Sequence, residues 1–182
     1  MHERSKGRIT LSRHAIERHL LDNWLRLFGY AVSLTGDRET ARDLLQQSAL
    51  HALAAKRPPD SGGSACAWLF RIVRNAWIDQ HRRATVREAV PAAEPLDGER
   101  WHFDDRLIAA LTVRQALDRL EPMHREVIEL VDISGFRYRE AAEILDVPVG
   151  TVMSRLSRAR LALLDAIGGN VRSLDAARRR TS

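Results

Sequence analysis

The chain has 182 residues, with 29 Lys+Arg against 24 Asp+Glu, a formal net charge of +5, 45% hydrophobic and 29% charged residues. That length allows one medium domain or two small ones, and the balance favours a folded, water-soluble class over a disordered one. The single cysteine, Cys66, excludes an internal disulfide and suits a reducing compartment. The start MHERSKGRIT is charged throughout, and no apolar run approaches the roughly 18 residues of a bilayer span, so a cytoplasmic protein without membrane insertion is expected. The basic excess is mild and shared by many soluble proteins; where the arginines sit says more than their sum.

In chain order, Ile16, Leu20, Trp24, Leu27, Ala31 and Leu34 keep a spacing of three or four and predict a helix. Thr35-Gly36-Asp37 reads as a helix stop followed by a new N-cap, because Gly tolerates the left-handed conformation and Asp accepts free amides. A second helix follows, with Ala41, Leu44, Leu45, Ser48, Ala52 and Leu53 on its inner side. The stretch KRPPDSGGSAC, residues 56–66, has the composition of a loop. AWLFRIVRNAWIDQHRR, residues 67–83, is a third helix, apolar around much of its girth and basic toward its end. Residues 84–106 hold no sustained period, two prolines and mixed charge, and read as a linker.

A second helical block begins near Leu107. Val113, Ala116, Leu117 and Leu120 form one helix that stops near Pro122; Met123, Val127, Ile128 and Val131 form the next. SGF is a turn, YREAAEIL a short helix, DVP a tight turn, and VPVGTVMSRLSRARLALL a final amphipathic helix. No alternating stretch argues for a strand, so the expected fold class is all-α: two small helical domains joined by a flexible linker. The basic tail NVRSLDAARRRTS, within 169–182, is expected to be disordered, with non-specific DNA anchoring as the alternative.

The final helix carries two faces. Val152, Leu156, Ala159 and Leu163 make an apolar stripe, while Thr151, Ser154, Arg155 and Arg158 share a neighbouring polar, basic face. A short helix, a tight turn and such a second helix make a helix-turn-helix, whose second member lies in the DNA major groove. Arg can fork onto guanine, Ser and Thr can bond several base edges, and Met153 and Thr151 can pack on a thymine methyl. The competing account is a solvated surface helix, since exposed helices are commonly charged. On 67–83, Arg71, Arg74, Arg82 and Arg83 alternate with Trp68, Phe70 and Trp77, a combination suited to a single strand, although such aromatics also serve as plain core. Catalytic patterns are poor: no metal-ligand spacing or nucleophile elbow occurs, and the one local cluster, His102, Asp104 and Asp105, reads as linker. Neither an enzyme nor a cofactor or metal is expected.

Taken together, LTGDRETARDLLQQSALHAL with AWLFRIVRNAWIDQHRR, and LDRLEPMHREVIELVDISGFRYREAAEILDVPVGTVMSRLSRAR, resemble the extracytoplasmic-function (ECF) sigma factors of bacterial RNA polymerase. The first pair is similar to region 2, the promoter-melting domain, and the last to region 4, the helix-turn-helix domain. The resemblance implies region 2 over 10–83, a linker over 84–106, region 4 over 107–168 and a tail over 169–182. It implies a non-catalytic subunit whose partners are core RNA polymerase (its clamp and flap regions), promoter DNA and an anti-sigma factor.

Carried over by position, Thr151, Ser154, Arg155 and Arg158 would read the upstream (−35) box, with Arg137 and Arg139 near the DNA backbone. Arg71, Arg74, Asn75, Asp79, Arg82 and Arg83 would line the path of the melted downstream (−10) strand, and the loop 58–66 would hold an extruded base. Asp43, Gln46 and Gln47 would dock on the polymerase clamp. Three departures stand out: Gln47-Ser48-Ala49 where many relatives carry Glu-Thr-Phe after the glutamine, Pro148 in place of a capping Ser, and Met153 in place of a frequent Lys. A linker of about 20 residues reaches at most ~70 Å, about the length of 20 base pairs at ~3.4 Å per step, so one chain could hold both boxes. The alternative is a free-standing helix-turn-helix regulator, which would have no need of the strand-capturing helix.

Overall fold

The computed structural model describes residues 11–59, 62–85 and 113–180, of which 62–64, 84–85 and 169–180 are described by their backbone alone. Every regular element among them is helical, as expected. Helix α1 (Arg13–Asp22) starts where Ser12 Oγ accepts the Ala15 amide, and it buries Ile16 and Leu20. The apolar period suggests that it should run on through Trp24, but the chain breaks at Asn23. The Asn23 amide makes the last helical bond of α1 to the His19 carbonyl, and the Asn23 side-chain amide donates to the same oxygen, as Asn does where it leaves the helical path. The break turns Leu21, Trp24 and Leu25 toward solvent, so Trp24 is not the core residue its spacing predicts.

Helix α2 (Trp24–Thr35) buries Leu27, Tyr30 and Ala31 and closes on Gly36 at φ +74°, the left-handed cap expected there. Asp37 then caps α3 (Arg38–Leu53), accepting the Thr40 amide and hydroxyl, each at 2.7 Å. Those bonds to the charged form hold the Asp37 carboxyl below its ordinary range. The expected inner face of α3 is buried, except that Leu53 is half-buried. Ser48, a polar member of that face, satisfies its hydroxyl on the Leu44 carbonyl.

Helix α4 (Gly62–Thr85) is longer than its sequence suggested. The segment 62–66, expected as loop, is its first turn; Ala65 is buried in phase with Leu69, Phe70 and Val73, and that burial extends the helix back through the glycines. The loop is accordingly shorter, and the Pro59 carbonyl accepts the Leu11 amide. Helix α4 packs against α1, α2 and α3. Beyond Thr85, the predicted linker lies outside the described residues, as does the His102, Asp104, Asp105 cluster.

In the second half, residues 113–118 are helical (α5) and bury Ala116. Arg125 ties the end of α5 to the next helix, donating to the Leu117 and Asp118 carbonyls at 2.9 and 2.6 Å. Helix α6 (Pro122–Ile128) opens with Pro in its first turn and widens into a π turn (Glu129–Ile133), in which the Ser134 amide reaches back to the Glu129 carbonyl. Helix α7 (Tyr138–Leu145) begins with Glu140 accepting the Arg137 amide and stops at Asp146, left-handed at φ 55°. Helix α8 (Val149–Arg180) starts at Pro148, whose carbonyl accepts the Thr151 amide. Val152, Leu156 and Ala159 are buried as their stripe predicts, and Leu163 is half-buried.

The halves do not stand apart. Helix α4 packs on α7, and α2 on α6 and the π turn. Phe70 meets Phe136 edge-on at 4.7 Å while Tyr30 lies 5.1 Å from the Phe70 ring, so one apolar cluster runs through both halves.

Candidate nucleic-acid interface

Burying Val152, Leu156 and Ala159 against α6 and α7 leaves the next face of α8 pointing outward. Ser154 and Arg158 are exposed there, and Thr151 and Arg155 are partly so. Among the described residues neither Arg155 nor Arg158 has an ion pair or side-chain hydrogen bond, so both guanidinium forks are available to an outside acceptor. Arg137 and Arg139 are exposed beside the start of α7. Gly150 has open space around it, which permits close approach of another backbone. Arg160 has a different use: it forks onto Asp132 at 2.6 and 3.0 Å and braces α8 against the π turn. Met153, expected to meet a thymine methyl, is exposed and borders a shallow groove of about 380 Å³ with Tyr138, Leu156, Leu161 and Leu164.

On α4, Arg71, Asn75, Asp79 and Arg82 recur at spacings of four, four and three, so they form one exposed ridge, with Arg83 beside them. Between α3 and α4 lies a cleft of about 740 Å³. Asp43, Gln47 and His51 line it from α3; Asn75, Asp79 and Arg83 line it from α4; Trp68 and Ile72 contribute apolar surface. The structure thus brings Asp43 and Gln47, expected for polymerase docking, beside three residues expected on the strand path. Gln46 is exposed but outside that lining, as are Arg71 and Arg82. Gln47 is engaged with His51 at 2.9 Å. Of the interleaved aromatics, Phe70 is fully core, Trp68 borders the cleft, and Trp77 stacks on His81 at 5.4 Å.

Arg74 departs from the ridge. Its Nε donates to Glu126 Oε1 at 2.9 Å, and Tyr30 donates its hydroxyl to the same oxygen at 2.9 Å. Burial, with Glu126 close by, pushes the Tyr30 phenol well above its ordinary range. Arg26 was not singled out by the sequence; it lies over both Phe70 and Phe136, with its guanidinium donating to the Ser134 carbonyl. The one hint was Tyr30 at an apolar position, since a buried phenol needs a partner. Nothing local to Tyr30 points to an acid 96 residues along the chain. Cys66 sits half-buried beside Asn23 and Arg26; burial pushes its thiol up, the opposite of what a reactive thiolate requires.

Among the described residues there is no group of three His, Cys, Asp or Glu side chains placed to hold a metal, and no helix is long and apolar enough to cross a membrane.

Comparison with known proteins matches the two halves separately: Sigma-70 region 2 over residues 13–87 and Sigma-70 region 4 over residues 110–163. The chain is 36% identical over 143 residues to the ECF RNA polymerase sigma factor EcfG of Rhodopseudomonas palustris, covering 75% of this chain and 76% of that one. It is 35% identical over 143 residues to the ECF sigma factor SigL of Mycobacterium tuberculosis, covering 75% of this chain and 80% of that one. A similar solved structure is the sigma factor RpoE of Bartonella quintana in complex with the anti-sigma factor NepR, at 30% identity and a TM-score of 0.70 over 84% of this chain and 96% of that one. The region 2 match on α1–α4 is what a free-standing helix-turn-helix regulator would lack. The chain therefore belongs to the ECF RNA polymerase sigma factors, non-catalytic subunits that direct core polymerase to promoters.

Proposed function

We propose that this sigma factor divides its work as region 2 over 10–83, linker over 84–106, region 4 over 107–168 and tail over 169–182, acting in the cytoplasm. Thr151, Ser154, Arg155 and Arg158 read the upstream box as duplex. Arg71, Arg74, Asn75, Asp79, Arg82 and Arg83 hold the melted downstream strand, and Asp43, Gln46 and Gln47 dock on the polymerase clamp. The observation that carries the reading is the state of Arg155 and Arg158: exposed or half-exposed, unpaired among the described residues, and one step around the helix from a fully buried stripe. Guanidinium forks left free in this register can reach the O6 and N7 of guanine, which is what a base-reading helix needs.

Two variants test the assignment. Arg155→Ala should lose about 1–3 kcal/mol of discrimination at the upstream box, measured by competition between matched and mutated duplexes. An equal loss on every sequence would make Arg155 a phosphate contact instead. Asn75→Ala should leave duplex binding by region 4 intact while reducing strand opening, followed by permanganate reactivity of promoter thymines; normal opening would remove Asn75 from the strand path.

The Bartonella relative was solved with an anti-sigma factor, and we assign this chain a partner of that class. Exposed Leu21, Leu25, Leu161 and Leu164 give such a protein apolar purchase on both halves. Co-expressed candidates should co-purify and depress transcription; a candidate that binds without depressing it is no inhibitor.

A further inference from the structure

The stripe that seats α8 fixes one side of that helix and leaves its tilt to be set by something else. Val152, Leu156 and Ala159 are buried against α6 and α7. Such contacts are non-directional, and packing of this kind leaves the crossing angle of two helices with a scatter of about 15–20°. Base reading tolerates far less. Thr151 lies nine residues before Arg160, about 13 Å along the axis, so a tilt of about 10° pivoting at Arg160 carries Thr151 through ~2 Å. A hydrogen bond is lost over a smaller displacement, since its useful range spans only about 0.5 Å.

Arg160 is where the tilt is held. Its guanidinium forks onto Asp132 with bonds of 2.6 and 3.0 Å, and such a fork fixes direction as well as distance. At about 3.6 residues per turn, the steps from Thr151 make roughly two and a half turns, so Arg160 stands on the opposite side of α8. It braces the helix from behind the reading face rather than within it. Tyr138, the first residue of α7, approaches the same guanidinium; the hydrogen bonds and charge of Asp132, with a smaller contribution from Tyr138, hold Arg160 above its ordinary range. The π turn, α7 and α8 therefore meet at one side chain.

The π turn gains a purpose from the same contact. Asp132 lies within Glu129–Ile133, where the Ser134 amide reaches the Glu129 carbonyl at 2.8 Å. One residue more in a turn changes the facing of the chain beyond it by about 100°, and wide turns of this kind recur at functional sites. With Arg160 50% and Asp132 32% exposed, the pair contributes little to stability. What it supplies is orientation. We propose that the Asp132–Arg160 pair, presented by the π turn, is a positioning brace that sets the tilt of α8 and with it the discrimination of the upstream box. That role rests on the face of Thr151, Ser154, Arg155 and Arg158 being the reader of the box.

The test uses the full chain bound to core polymerase, on a promoter fragment recovered by run-off transcription and on the same fragment with its upstream box scrambled. Asp132→Asn, Arg160→Ala and the double variant are compared with wild type. The ratio of the two affinities should fall about fivefold in each, the low end of what one misplaced base contact is worth. The double variant should lose no more than either single one, because both break the same pair. Affinity for the scrambled fragment, its salt dependence and the melting temperature should stay near wild type. A carboxylate makes no phosphate contact of its own, so Asp132→Asn isolates the brace from any direct contact by Arg160. An unchanged ratio overturns the proposal. So does an equal loss on both fragments: with a shallower salt slope in Arg160→Ala alone it makes Arg160 a phosphate contact, and with a lower melting temperature it makes the pair merely structural. Arg155→Ala, run in parallel, separates the brace from the reading beneath it. Discrimination lost there but kept in Asp132→Asn leaves the reading face standing and removes the brace. Discrimination lost in Asp132→Asn alone keeps the brace and passes the base contact to other residues of the face.

Discussion

Glu129 occupies the first position of the π turn, half-buried and near Tyr30, with Glu126 and Arg74 in the same neighbourhood. Burial pushes its carboxyl above the ordinary value. A carboxyl that binds its proton more tightly folded than unfolded contributes most below the ordinary carboxylate range, and that contribution is lost as pH rises through the raised value. At neutral pH the charged form is a liability. Glu129→Gln should therefore raise the melting temperature at pH 7 and flatten the gain the wild type shows on acidification to pH 5; a lower melting temperature at both values would contradict this. Asp37 acts with the opposite sign, since its lowered carboxyl stabilises above its ordinary range and loses that contribution as pH falls. At this scale the sequence reads well wherever the cause is local. Gly36 and Asp37 announce a stop and a cap through their own chemistry, and Thr151, Ser154, Arg155 and Arg158 share a face by helix geometry alone. The partner of Arg74 could not be read, because nothing within a few residues of it reflects Glu126.

Among the elements, α8 shows how far periodicity reaches. Its stripe was placed correctly because a regular helix repeats without interruption, and Leu156 stands at 2% exposure in the middle of it. Leu156→Ala should cost about 2–5 kcal/mol in denaturant unfolding and weaken DNA binding only through the loss of folded region 4. A cost below 1 kcal/mol would mean that the stripe is not the anchor of the reading face. Where a helix is interrupted without loss of its apolar period, the pattern misleads. Asn23 splits α1 from α2 although Leu20, Trp24 and Leu27 stay in phase, and the π turn inserts a wider turn while Leu130 and Val131 remain apolar. The loop before α4 misleads in the other direction: its glycines suggest a turn, yet burial of Ala65 draws the helix back to Gly62. The cleft between α3 and α4 needed three dimensions, because Asp43 and Asn75 meet only once those helices pack.

For the molecule as a whole, two blocks in fixed order were readable from the residues, and so was their separation by a stretch without period. Their contact was not, since it is made by side chains far apart in sequence whose local roles look like ordinary core or surface. Acting together, the two halves should redirect core polymerase to a promoter with two boxes. The direct measurement is run-off transcription from a genomic fragment pool with core RNA polymerase, with and without this chain. New starts should appear only with the chain and lie downstream of one shared pair of sequence boxes. Core polymerase gaining no starts, while the chain alone still binds particular duplexes, would contradict it.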